Sequence, residues 1–122
     1  MSKPLQVTFL GLSAIVHNFS LSLYRNNNAP AVIADIEYDD GERESLPVSV
    51  NIPNASDRFA GQEAPKFAAK NYSEREELYA ELVKGGWLKP TGETIPSGYV
   101  DIPVCTLGEN VIIKQITPAT NV

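Results

Sequence analysis

Three cations and several aromatic rings fall in or beside stretches that lack a regular hydrophobic period. Arg58, Lys66 and Lys70 belong to the segment 53–70, and Phe59, Phe67, Tyr72, Trp87 and Tyr99 lie within it or near turn-rich sequence. Positive charge next to ring faces is the minimum equipment for a nucleotide-like ligand, with cations holding phosphate and a ring stacking on a base. The same residues also suit a plain structural account, in which the rings are core and the cations solvated. A second chemistry is acidic. Asp35 and Glu37 share one side of a strand pattern, and Asp39, Asp40 and Glu42 follow at its end. Their oxygens could serve a hard cation, but the EF-hand spacing is missing. They read instead as a solvated acidic edge, able to face a basic protein surface.

Catalysis finds little to work with. His17 is the only histidine and sits beside Asn18, with no Gly-x-Ser-x-Gly elbow elsewhere to complete a triad. Cys105 lies in a strand pattern without a motif around it, as a small core residue would. Glycine-rich phosphate cradles are missing from the sequence. The expectation is a protein that binds and is not an enzyme, with no catalytic residue, metal or cofactor.

The chain has 122 residues, which fits one domain over 1–122 with a single modest core. Its net charge of −5 argues against general nucleic-acid binding, which needs a basic face to displace counterions. One cysteine excludes an internal disulfide. No basic segment followed by a long apolar run opens the chain, and its apolar runs fall short of the roughly 20 residues that span a bilayer. A cytoplasmic location is therefore expected, with no membrane partner.

The elements that must position these residues are mostly strands. Leu5, Val7 and Phe9 alternate with polar neighbours, and Gly11 ends that pattern. Residues 12–16 are apolar with little period, and Phe19, Leu21 and Leu23 alternate again as a second strand. The Asn26-Asn27-Asn28 run marks a hairpin loop. A third strand spans 31–38 with Val32, Ala34, Ile36 and Tyr38 on one face, and Asp39-Asp40-Gly41 turns it into a fourth over 46–52. The segment 53–70 has no clean period and reads as an irregular loop, either pinned by its phenylalanines or acting as a lid. Ser73 and Glu76 form a capping-box pattern ahead of a helix over about 74–84, which Gly85-Gly86 closes. Lys89-Pro90-Thr91-Gly92 and Pro96-Ser97-Gly98 read as turns, 99–106 as a fifth strand, and 111–116 as a last strand paired with it. The fold class expected is α+β: an antiparallel meander of five to seven strands with one amphipathic helix packed on it.

The stretch KNYSEREELYAELVKGGWLKPTGETIPSGYVDIPVC, with VTFLG near the start and VSVNIP at 48–53, resembles a family of small proteins from phages, prophages and other mobile elements. Arg75 stands where those relatives carry Asn, and Glu93 where Arg is common. The resemblance implies an accessory or counter-defence protein acting by stoichiometric binding. One form is an oligomeric sponge that sequesters a small nucleotide-like immune signal, using Arg58, Lys66 and Lys70 for anionic groups and Phe67, Tyr72, Trp87 or Tyr99 for stacking. The other form is an acidic inhibitor that blocks a host defence protein, such as a nuclease, through Asp35, Glu37, Asp39, Asp40 and Glu42.

Overall fold

The computed structural model describes residues 3–52, 55, 59 and 66–115. The chain is mainly antiparallel β-sheet with one short helix, which is α+β in a loose sense. Most of the expected loop 53–70 and the tail from Thr117 lie outside the described residues.

The first sheet contains β1 (Leu5–Phe9), β2 (Leu12–Leu23), β3 (Pro30–Tyr38) and β4 (Arg43–Pro47) in sequence order. Leu10 and Gly11 take φ values of 51° and 72° in the turn between β1 and β2, so the tight turn follows the twist of its strands. The second strand is longer than its sequence pattern suggests. A β-bulge between Val16 and Asn18 shifts the register, so Ala14 and Val16 face the core before it and Phe19 and Leu21 after it. The extra residue, His17, hides one continuous strand behind two apparent ones. The Asn run forms the expected hairpin loop, with Asn28 at φ 58° and Asn27 accepting the Ala29 N–H.

The fourth strand lies earlier than the expected 46–52. It ends at Pro47, and residues 48–50 cross from one sheet to the other: Val48 N–H donates to Val32 C=O, and Val50 N–H to Ala68 C=O. Ser49, buried at this crossing, accepts the Val32 N–H on its Oγ and bonds the Tyr24 hydroxyl. The second sheet has the order β5 (Lys66–Ala68), β7 (Val100–Leu107), β6 (Leu88–Ser97).

Strand β6 runs straight through the expected Lys89–Gly92 turn. It pairs with β7 on one side only, so Pro90 and Pro96 remove no ladder bond on the outer side. A bulge between Pro90 and Thr94 places Gly92 at φ 92°, and Thr91 Oγ1 donates to Val104 C=O in place of a ladder bond. The last strand, β8 (Ile113–Gln115), does not pair with the fifth. It pairs in parallel with Phe19, Ser20 and Leu21 of β2, beyond the half of β2 that β1 occupies.

Helix α1 (Glu76–Lys84) is shorter than expected and enters differently. Ser73 has φ 53° and begins a 3-10 turn (Ser73–Arg75), and no side-chain cap bond forms, so the capping box is not made. Entry is held by tertiary contact instead: Arg75 Nε donates to Pro47 C=O at 2.9 Å. The exit is a Schellman motif. Trp87 N–H bonds Leu82 C=O, Gly86 N–H bonds Val83 C=O, and Gly86 sits at φ 77°. Leu78 and Leu82 are buried, with Tyr79 and Val83 packed beside them, as the stripe implied. Two acidic residues on α1 also seal the free edge of β1: Thr8 N–H donates to Glu81 and Leu10 N–H to Glu77.

The main core lies between the sheets and the helix, where Trp87 meets Phe19 edge-on at 5.1 Å between ring centres. A smaller core covers the opposite face of the second sheet, where Phe59 packs with Ala68, Ile95, Ile102 and Val104.

Candidate functional site

The cation-and-ring set does not converge. Phe67 and Trp87 are each 1% exposed and belong to the main core, so neither offers a ring face to a ligand. Phe67 alternates with Lys66 and Ala68 along β5, and the Schellman exit of α1 turns Trp87 inward. Lys66 pairs with Glu93 at 2.6 Å. Lys70 pairs with Glu74 at 2.7 Å and lies over the Tyr72 ring at 5.3 Å. Tyr99 is fully exposed at the β6–β7 turn. Thr106, which pairs with Lys66, lies seven residues on from Tyr99. At the rise of a strand that is roughly 23 Å. Arg58 lies outside the described residues.

The acidic run divides in two. Asp35 and Glu37 are not part of an open acidic edge. Asp35 accepts hydrogen bonds from Asn18 Nδ2, Ser20 Oγ and Ser45 Oγ across β2 and β4. Glu37 accepts from His17 Nε2 at 2.8 Å and Arg43 at 3.2 Å. The His17 hydrogen bond, outweighing partial desolvation, lowers the Glu37 carboxyl below its ordinary value. Asp39, Asp40 and Glu42 remain exposed at the β3–β4 turn.

Those three join residues that sequence reasoning missed. The β1–β2 and β3–β4 turns lie side by side, tied by Asp39 N–H to Ser13 C=O at 3.3 Å. Between them is a recess of about 520 Å³, lined by Leu12, Tyr38, Asp39, Asp40, Glu42 and Glu44 among others. The Tyr38 hydroxyl donates to Glu44, and burial together with that bond pushes its pKa up to about 12. Leu12, which lines the recess, is 49% exposed, and Leu10 in the same turn is 53% exposed. Isolated exposed leucines are ordinary, but two beside an acidic recess form a mixed surface. A sequence clue existed in Leu10-Gly11-Leu12, where a tight turn leaves no inward direction for either leucine.

Nothing in this arrangement supplies a nucleophile. Cys105 is buried against Tyr79, whose hydroxyl lies 3.8 Å from its Sγ, and burial pushes the thiol up to about 11. At neutral pH it is a protonated core residue. Among the described residues, no group of three or more His, Cys, Asp or Glu side chains is placed to hold a metal ion, and no helix is long and apolar enough to cross a membrane. Comparison with family models, curated proteins and solved structures gives no match for this chain.

Proposed function

We propose that this is a non-enzymatic binding protein that docks its acidic two-hairpin end onto a basic, partly apolar surface of another protein. The observation that carries this reading is the recess between the β1–β2 and β3–β4 turns, lined by Tyr38, Asp39, Asp40, Glu42, Glu44 and exposed Leu12, with exposed Leu10 in the same β1–β2 turn. Carboxylates beside a ring receive a Lys or Arg side chain, and the leucines add apolar contact that charge steering alone lacks. The likeness in sequence to proteins of phages and mobile elements suggests a host defence protein, such as a nuclease, as the partner. Sequestration of a nucleotide-like signal through Arg58, Lys66, Phe67, Lys70, Tyr72, Trp87 and Tyr99 draws less support. Two of those rings are buried and both described lysines are ion-paired.

The test is affinity capture from host lysate with the native chain and with an Asp39→Lys/Asp40→Lys double variant. A partner retained by the native chain at low salt, released as salt rises and lost to the charge-reversed chain supports the reading. Equal retention by both chains, or retention insensitive to salt, refutes it.

A further inference from the structure

The outer face of the first sheet carries a second recess, of about 480 Å³, on the side of β2 and β3 away from the main core. The bulge at His17 makes it possible. By shifting the register, it puts Phe19 and Leu21 into the core and leaves Asn18 and Ser20 on the outer face, in line with Asp35 on β3 and Ser45 on β4. These four residues line the recess with Ile36 and Glu44, whose carboxylate accepts the Tyr38 hydroxyl, and Arg43 and Lys114 line it from strands on its two sides.

The direction of the hydrogen bonds decides what such a floor can recognise. Asn18, Ser20 and Ser45 each donate to the Asp35 carboxylate. Ser20 and Ser45 have no other side-chain hydrogen, so both hydroxyl oxygens retain only lone pairs for a ligand. Asp35 Oδ2 takes two of the three bonds and Oδ1 takes one, which leaves acceptor capacity on Oδ1. Ser20 is buried at the deepest point of the floor, while Asn18 and Asp35 are half-buried and Ser45 is exposed at its edge. An acceptor-rich floor calls for a ligand with O–H donors. The rim has the opposite character. Arg43 places Nη2 on Glu37 and 3.4 Å from His17 Nε2, and its Nε and Nη1 groups make no bond to described residues. Lys114 is exposed and has no ion-pair partner among the described residues. Two cations above an acceptor floor call for an anionic group at one end of a hydroxylated molecule. No aromatic side chain lines the recess, which disfavours a ligand held by its base. The volume falls within the range of small-molecule sites.

We infer that this recess binds a small hydroxylated anion of the sugar-phosphate class, its hydroxyls on Asp35, Ser20 and Ser45 and its phosphate between Arg43 and Lys114. The recess shares only Glu44 with the acidic two-hairpin end, and the inference does not depend on the docking reading.

The experiment is a titration of the ¹⁵N-labelled chain, followed by amide shifts, with three probes: ribose 5-phosphate, ribose and inorganic phosphate. Ribose 5-phosphate is expected to give saturable shifts at Asn18, Ser20, Asp35 and Ser45, and to bind more tightly than either fragment. An Arg43→Ala/Lys114→Ala variant should weaken its binding at least about tenfold. Both side chains are on the surface, so the variant should keep the native spectrum and unfolding midpoint. The inference is overturned if ribose 5-phosphate gives no saturable shifts at millimolar concentration, or gives them elsewhere. It is also overturned if phosphate alone binds as tightly, or if the double variant binds equally well.

Discussion

Replacing Phe59 with Ala asks how far the small core on the second sheet depends on this one ring. Phe59 is 2% exposed and is the largest member of the small core on the outer face of the second sheet, with Ala68, Ile95, Ile102 and Val104. Transfer of a buried phenylalanine to water accounts for about 1.5–3 kcal/mol, and an unfilled cavity raises the cost of Phe→Ala to about 3–5 kcal/mol. A satellite core this small sets a ceiling. Once the cost of the cavity exceeds what holds this core together, it opens locally and Ile95, Ile102 and Val104 meet water. Phe59→Ala should therefore cost about 3 kcal/mol, a sizeable part of the roughly 6–18 kcal/mol typical of a domain this size. Urea unfolding measures both quantities: a lower midpoint gives the loss, and a smaller slope shows that the native state already exposes surface. A loss below about 1 kcal/mol with an unchanged slope would refute the reasoning. It would mean that the Phe59 ring contributes little to this core despite its burial.

The connection after β7 is the next weak point. A Cβ on Gly108 would lie 2.0 Å from Gly86 C=O, a backbone atom that cannot rotate away, and would disturb the Gly108 N–H bond to Trp87 C=O. Gly108→Ala should cost about 2–4 kcal/mol in urea unfolding. Gly92→Ala meets nothing within 4 Å and carries only its φ of 92°, so it should cost about 1–2 kcal/mol. Cys105, with its thiol raised to about 11 and no exposed surface, should resist a thiol reagent at neutral pH in the folded chain and react on unfolding; fast labelling of the native protein would contradict the burial. The folded pKa of Glu37 lies below its ordinary 4.5. Its contribution to stability is thus present above that value and is lost as pH falls through the depressed one. Glu37→Gln should flatten stability against pH in that acidic window, lower stability slightly at neutral pH and change little below the window, as denaturant midpoints would show.

How far each element could be read in the sequence depended on whether its cause was local. β1 and β3 follow an unbroken alternation, and the stop of α1 rests on Gly86, whose φ of 77° only glycine adopts without strain. β2 was read as two pieces because one bulged residue, His17, reverses the alternation, and a bulge is specified by the partner strand. β6 was read as turns because Pro90 and Pro96 punctuate a chain everywhere except on an edge strand, and being an edge is a property of the finished sheet. The start of α1 was misread for a related reason: the carbonyl that fixes Arg75 belongs to Pro47, 28 residues away.

The candidate sites obey the same division. Trp87 follows a Gly-Gly pair and reads as the start of a short strand beside turn-rich sequence, yet the bond from its N–H to Leu82 C=O carries the indole into the core. Alternation correctly places Asp35 and Glu37 away from the core, but it cannot say what meets them there. Their partners Asn18, Ser20, Ser45, His17 and Arg43 come from neighbouring strands through the register of β2 on β3 and of β3 on β4. Asp39, Asp40 and Glu42, at a turn, have no cross-strand partner to absorb their charge. The acidic run therefore separates at the end of β3, where the ladder stops. Its strand half is tied into the sheet, and its turn half is left for something outside the chain.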